Sequence, residues 1–194
     1  MYGLPYNQSD MRIYRFTLFA AVVALSAIVL TACGGSAPSA SDGQVKLETP
    51  DLTIDTYQGA DVLGGQEVKL SDLVAQGKPV VLNFYAALCP PCRAEMPDFQ
   101  KVYDERKDEF TLVGVDIGPQ QFLGSRDEGK ALLDELHITY PAGTTFEDGV
   151  VGDFLVVAMP TTLFIRADGS LAKQWSGLLP EAKMRELIDD ITSS

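Results

Sequence analysis

Two cysteines that stand shortly after a short apolar segment constrain the fold of this chain more than any other feature. The segment from Val80 to Tyr85 is almost continuously apolar and rich in β-branched and aromatic residues, as expected of a central strand buried on both faces. Cys89 and Cys92 follow it, and the stretch from Cys92 to Glu109 has apolar residues at helical spacing. The sequence therefore predicts a cysteine pair at the junction of a buried strand and a helix.

Short apolar runs alternate with amphipathic stretches from Val45 onward, which is the pattern of a layered α/β domain. A leading β-hairpin is predicted from residues 52–57 and 67–70, on either side of a Gly-Gly turn. Further strands are predicted at 111–117, 161–166 and 170–175, and helices at 126–136 and 181–191. We expect a mixed β-sheet with helices on its faces.

Residues 1–33 are predicted to be an export signal. Arg12 and Arg15 precede an uncharged apolar run at 16–30, which is shorter than a membrane span of about 20 residues. The segment LTAC, which ends at Cys33, resembles the lipobox of bacterial lipoprotein precursors. Cleavage before Cys33 and a lipid on that residue are therefore expected, with an uncleaved anchor or a plain secretory signal as alternatives. All three export the domain, and either Met1 or Met11 is the start.

Residues 34–44 are rich in Gly, Ser, Ala and Pro without an apolar period, so they are predicted to be a flexible tether. Residues 45–194 remain as one domain, which suits the chain length of 194 residues. The formal net charge of −12 and the lack of a Lys/Arg cluster argue against nucleic-acid binding.

The position of the cysteine pair at a helix N-terminus indicates redox chemistry. Unpaired backbone N–H groups and the positive end of the helix dipole stabilise a thiolate at Cys89, which is the predicted nucleophile with its sulfur toward solvent. Cys92, covered by the first turn, is the predicted resolving thiol. A zinc site lacks its second half, because only Cys33 and His137 remain as soft or imidazole ligands. A purely structural disulfide is disfavoured, because so small a loop gains little stability from closure.

The segment VVLNFYAALCPPCRAEMP resembles the active-site segment of the TlpA/ResA group of membrane-anchored thioredoxin-like proteins, and the likeness extends over about residues 45–191. Further matching motifs are Lys78-Pro79, Glu95-Met96-Pro97, Met159-Pro160-Thr161-Thr162 and Asp168-Gly169. The resemblance implies a thioredoxin-like fold and activity as a thiol-disulfide oxidoreductase. It implies no bound cofactor beyond the redox-active disulfide, and the chain carries no flavin or nicotinamide motif.

The same resemblance implies that Pro160 is a cis-proline facing the cysteine pair and that Met159 offers its backbone to an extended substrate. Thr161, Pro90 and Pro91 are the other expected substrate contacts. Without the resemblance, a trans proline at the start of an edge strand would be expected, because cis peptide bonds are uncommon.

The resemblance also implies that Glu95 lies near the active site and handles protons for the cysteine pair. Its spacing from Cys92 places both on one helix face. The simpler interpretation is that Glu95 only favours the N-terminal helix dipole. Asn83 stands where ordinary thioredoxins keep a buried Asp. Two departures, Leu88 in place of the usual Trp and Pro-Pro between the cysteines, leave the redox potential and partner open.

The predicted function is the reduction of disulfides in extracytoplasmic proteins, by a domain that a lipid on Cys33 anchors outside the bacterial membrane. The resemblance implies apocytochrome c as a partner. A membrane thiol carrier would recharge the pair. Oxidation or isomerisation of secreted proteins uses the same atoms and differs in redox potential. A peroxidase is disfavoured because residue 86 is Ala where peroxiredoxins have Thr. A copper protein is disfavoured because the related copper proteins use C-x-x-x-C, and the cysteine spacing in this chain is shorter.

Overall fold

A computed structural model describes residues 47–193 of the chain. The predicted export signal, the lipid site at Cys33 and the tether at 34–44 lie outside the described residues. No helix within residues 47–193 is both long enough and apolar enough to cross a membrane.

Seven strands in the described part of the chain form one mixed sheet in the order β2-β1-β5-β4-β3-β6-β7. Their bounds are β1 Thr53–Gln58, β2 Glu67–Lys69, β3 Val80–Tyr85, β4 Thr111–Asp116, β5 Ala142–Thr144, β6 Thr161–Ile165 and β7 Leu171–Ser176. Strands β3, β4 and β5 are parallel to each other, and the outer pairs are antiparallel. The thioredoxin-like α/β fold with an N-terminal hairpin is thus confirmed.

Helices cover both faces of this sheet. They are α1 Ala60–Leu63, α2 Leu70–Ala75, α3 Pro90–Arg106, α4 Gly118–Gln121, α5 Arg126–Glu135, α6 Val150–Asp153 and α7 Glu181–Thr192. Apolar residues of α3, α5 and α7 pack on one face, and those of α1, α2 and α6 pack on the other. The two faces therefore have separate apolar cores.

Strand β3 divides its side chains between these two cores, as its period of two requires. Val81 and Tyr85 belong to the core under α3, whereas Val80, Leu82 and Phe84 belong to the opposite core. Asn83 lies two residues from both Val81 and Tyr85, so it is on the same face of the strand and this polar residue is directed toward α3. Every residue of β3 is buried, as the apolar run predicts.

The structure contains short elements that the sequence did not predict. Helix α1 lies inside the leading hairpin, α4 follows β4, β5 joins β1 to β4, and α6 lies between β5 and β6. Helix α3 also begins at Pro90 rather than Cys92, since a proline in the first turn loses no intrahelical hydrogen bond. Gly143 of β5 allows the backbones of β1 and β5 to approach closely, because a Cβ added at this position would meet the Asp55 carbonyl oxygen at 2.4 Å.

Candidate active site

Cys89 caps helix α3 and is joined in a disulfide to Cys92, which lies in the first turn of that helix. Cys89 is the N-cap residue, and its Sγ accepts a hydrogen bond from the Cys92 backbone N–H at 3.2 Å. Cys89 is 3% exposed and Cys92 is fully buried. Cys89 is therefore the more accessible of the two, although its sulfur faces solvent less than the sequence predicted.

The backbone before the helix holds Cys89 in place. Its N–H donates to the Ala86 carbonyl at 3.2 Å, and its own carbonyl accepts from the Arg93 N–H at 3.1 Å. Pro90 is exposed and Pro91 is half-buried, so this part of the helix mouth forms surface beside the disulfide.

The Met159–Pro160 peptide is cis, as the family resemblance implied. Thr161 pairs with Phe84 of β3, so Pro160 lies at the same sheet edge from which the chain leads to Cys89. Met159 is half-buried and packs against the apolar cores. The structure therefore brings the proline and the cysteine pair to one edge of the sheet.

Thr161 has a different position from the one expected of a substrate contact. Its side chain is fully buried, and its hydroxyl donates to the Ala158 carbonyl at 2.7 Å. The hydroxyl thus braces the turn that carries Met159 and Pro160, and it is not part of the surface. The Pro160 carbonyl is held in turn by the Gly177 N–H at 2.7 Å.

Glu95 lies inside the molecule, with only 1% of its surface exposed. One carboxylate oxygen accepts from Asn83 Nδ2 at 2.9 Å, and the other accepts from the Leu179 backbone N–H at 2.8 Å. Burial raises the pKa of Glu95 from 4.5 to about 7, although these two hydrogen bonds act in the opposite direction. A carboxyl group one helical turn after Cys92 can therefore change its protonation near neutral pH.

Sequence reasoning missed two of the groups that hold Glu95. Thr162 Oγ1 accepts from Asn83 Nδ2 at 2.9 Å across the β3–β6 pair, and Leu179 belongs to the connection between β7 and α7. Only a weak sequence signal pointed to the Thr162 hydroxyl: Thr161 and Thr162 are two polar residues at the start of a strand that is otherwise apolar. The Leu179 contact is made by backbone and has no sequence signal.

A second buried carboxylate, Asp116, was also missed. It ends β4 and accepts hydrogen bonds from the Gly118 N–H at 2.9 Å and the Tyr57 hydroxyl at 3.3 Å. Burial raises its pKa to about 6, with Arg126 among the groups that oppose the shift. Its signal was a lone acidic residue at the end of an apolar run, TLVGVD.

Large apolar side chains are exposed in the segments next to the cysteine pair and the cis-proline. Leu88 directly precedes Cys89, and Phe122 is 96% exposed at the end of α4. The Leu88 N–H donates to the Leu123 carbonyl at 2.8 Å, so the loop after α4 is joined to the cysteine segment. Val157 is exposed and lies three residues before Pro160. Leu178 is also exposed, and it follows Gly177, whose N–H donates to the Pro160 carbonyl.

Metal ligands do not cluster in this part of the chain: within residues 47–193 no group of three or more His, Cys, Asp or Glu side chains is placed to hold an ion. His137, considered above as a ligand, is exposed just after α5.

The model of the AhpC/TSA family matches residues 45–174. Thiol-disulfide oxidoreductase ResA of Oceanobacillus iheyensis is 35% identical over 124 residues, which are 64% of this chain and 62% of that protein. The thioredoxin-like protein YneN of Bacillus subtilis is 30% identical over 142 residues, which are 73% of this chain and 77% of that protein.

Among solved structures, the fold is similar to that of the exposed lipoprotein thioredoxin of Streptococcus pneumoniae, with a TM-score of 0.60. The superposition covers 73% of this chain and 99% of that one at 24% sequence identity. At that identity the likeness bears on the fold alone.

Proposed function

Since the chain belongs to the AhpC/TSA family and is a thioredoxin-fold thiol-disulfide oxidoreductase of the ResA type, we propose that it reduces disulfides of proteins outside the cytoplasm. The observation that carries this proposal is the position of Cys89 and Cys92 at the N-terminus of α3, with Glu95 buried one turn further on.

The first step uses Cys89 of the reduced protein. Its thiolate attacks one sulfur of a partner disulfide, the other partner sulfur leaves as a thiolate, and a mixed disulfide joins the partner to Cys89. The helix dipole and the N–H of Cys92, 3.2 Å from Cys89 Sγ, favour negative charge on this sulfur.

Glu95 serves the second step. The Cys92 thiol gives its proton to the Glu95 carboxylate, and the new thiolate attacks Cys89 Sγ. The bond to the partner breaks, its sulfur leaves as a thiolate, and the Cys89–Cys92 disulfide forms. The partner gains two electrons and the protein loses two. The support for this role is the Glu95 pKa of about 7, which lets the carboxyl accept and release a proton at neutral pH.

The partner chain is proposed to lie extended beside the backbone of Met159 and Pro160, with Pro90 and Pro91 as further contacts. The cis peptide at the shared sheet edge and the exposure of Pro90 support this placement. Thr161 contributes by bracing the turn through its bond to Ala158.

We propose further that a lipid on Cys33 anchors the domain at the outer side of the membrane. The lipobox-like LTAC segment supports this location. Mass spectrometry of the mature N-terminus is the test: a lipid-modified Cys33 is expected, and an unmodified N-terminus would contradict the anchor.

Apocytochrome c is the proposed partner, and a membrane thiol carrier the proposed source of electrons. The similarity to ResA proteins supports a ResA-type reaction, and the redox potential of the Cys89/Cys92 couple decides its direction. A potential well below that of the glutathione pool favours a reductase, whereas a higher one favours an oxidase. About 30 mV changes the two-electron free energy by roughly 1.4 kcal/mol.

Trapping of partners in cells tests the proposed function. Cys92→Ser should complete the first attack and accumulate a mixed disulfide, because no thiol remains to release Cys89. Cys89→Ser is the matched control and should trap nothing. Partners with C-x-x-C-H haem-attachment sequences would support the cytochrome proposal. Better trapping by Cys89→Ser would overturn the assignment of nucleophile and resolving thiol.

A further inference from the structure

The hydrogen bonds around Glu95 suit only one of its protonation states. Each carboxylate oxygen faces an N–H donor, one from the Asn83 amide and one from the Leu179 backbone. The two N–H groups are donors, so neither of them can accept a proton carried by Glu95. The arrangement therefore fits the ionised carboxylate and gives the proton of the acid form no acceptor among these partners.

The Asn83 amide is fixed on one side and free on the other. Its Nδ2 donates to both Glu95 and Thr162, at 2.9 Å each. Its Oδ1 is buried and has no hydrogen-bond partner among the described residues. An unpaired acceptor in a protein interior is uncommon and costs free energy.

Rotation of the Asn83 amide by a half-turn exchanges the positions of Oδ1 and Nδ2. Oδ1 then faces Glu95 and accepts the acid proton, and the Thr162 hydroxyl donates to Oδ1 instead of accepting from Nδ2. Either orientation leaves one end of the amide without a partner. Ionisation of Glu95 therefore favours one orientation, and protonation favours the other.

We propose that Asn83 and Thr162 are positioning residues for Glu95: the Thr162 hydroxyl fixes the Asn83 amide, which holds the ionised carboxylate and turns over when Glu95 binds a proton. The effect on exchange rests on the role of Glu95 proposed above, but the coupling itself can be measured without exchange.

The neighbours of Glu95 favour this simple coupling. Asn83 and Thr162 are fully buried and neutral, and Leu179 contributes only its backbone. The buried phenol of Tyr140 is an ionisable neighbour whose pKa the carboxylate raises further, and Cys92, one turn earlier on the same helix, is held in the disulfide. No charged side chain is among the causes of the Glu95 shift.

The test is a titration of the Glu95 carboxyl by ¹³C NMR in the full-length oxidised protein in detergent, with the signal assigned by its loss in Glu95→Gln. Asn83→Leu removes the charge-assisted bond to the ionised form and the weaker neutral bond to the acid form, so it should raise the midpoint by about one pH unit. Thr162→Val should raise it by less, and the control Thr162→Ser, which keeps the hydroxyl, should not move it. The Asn83 side-chain amide signals should change with the same midpoint.

An unchanged midpoint in folded Asn83→Leu would overturn the proposal, as would amide signals that still titrate in Glu95→Gln. If Asn83→Leu does not fold, Thr162→Val decides: a midpoint equal to that of the parent or of Thr162→Ser overturns the proposal. If the midpoint shifts and the pH profile of exchange does not, the positioning stands and the proton-transfer role of Glu95 falls.

Discussion

Two buried carboxylates, Glu95 and Asp116, have similar electrostatics and different surroundings. Burial raises both pKa values, to about 7 and about 6. Glu95 lies on the helix that Cys89 caps and is held by neutral donors. Asp116 ends β4, accepts from Tyr57 and Gly118, and is influenced by Arg126.

The comparison shows that a raised pKa does not by itself identify a catalytic group. Desolvation produces the shift at both sites, because each carboxylate is removed from water. Asp116 links β1, through Tyr57, to the start of α4, and it packs against Gly129 of α5. We therefore propose that Asp116 is a structural group and that Glu95 is the group that serves the dithiol.

The largest expected effect is on the pH dependence of stability. The Glu95 pKa is higher in the folded protein, about 7, than its value of 4.5 when unfolded. Its contribution to stability is full below pH 4.5 and is lost as the pH rises to 7. The loss amounts to about 3 kcal/mol. Urea unfolding of the oxidised protein at pH 5 and pH 8 should show most of this loss in the parent and a smaller one in Glu95→Gln.

Asp116 titrates with the same sign and remains in Glu95→Gln, so the difference between the two proteins isolates Glu95. Parallel loss of stability in both proteins would show that Glu95 does not carry the predicted shift.

Next in size is a packing change at Asp116. A Cβ on Gly129 would meet Asp116 Oδ2 at 1.8 Å, so Gly129→Ala should lower the free energy of unfolding by about 2 kcal/mol. Gly152→Ala is the matched control, since nothing lies within 4 Å of its new Cβ. Gly129→Ala combined with Asp116→Ala should recover part of the loss, as a double-mutant cycle can measure. Strictly additive losses would refute the clash.

The smallest effect on stability is expected at Phe122. This side chain is 96% exposed at the end of α4, the helix whose first residue Asp116 holds. Phe122→Ser should change the free energy of unfolding by less than about 0.5 kcal/mol. It should slow exchange with a protein disulfide while leaving exchange with a small disulfide unchanged. Equal slowing with both would mean that Phe122 acts on the exchange chemistry and not on the binding of a protein partner.

The sequence predicted the features that depend on neighbours along the chain. Strand β3 matches its predicted bounds, because a continuous apolar run has a local cause. The helix N-terminus at Cys89 also has a local cause, because the prolines and the cysteine spacing are neighbours along the chain. The three-residue strand β5 was missed because it is too short to show a period.

The parts of the site that the sequence did not reveal depend on contacts between distant positions. Asn83 and Thr162 are 79 residues apart, and Glu95 and Leu179 are 84 apart. Their contacts arise from the register of β3 against β6 and from the path of the chain after β7. Local patterning carries no information on either.

The pH profile of exchange tests the central claim that Glu95, and not Asp116, serves the dithiol. The reduced parent, Glu95→Gln and Asp116→Asn are compared for their rate of reaction with a small disulfide from about pH 5 to about pH 9. An inflection near the Glu95 pKa of about 7 is predicted in the parent and in Asp116→Asn, and its loss in Glu95→Gln. An inflection that persists in Glu95→Gln, or that disappears in Asp116→Asn, would contradict the claim.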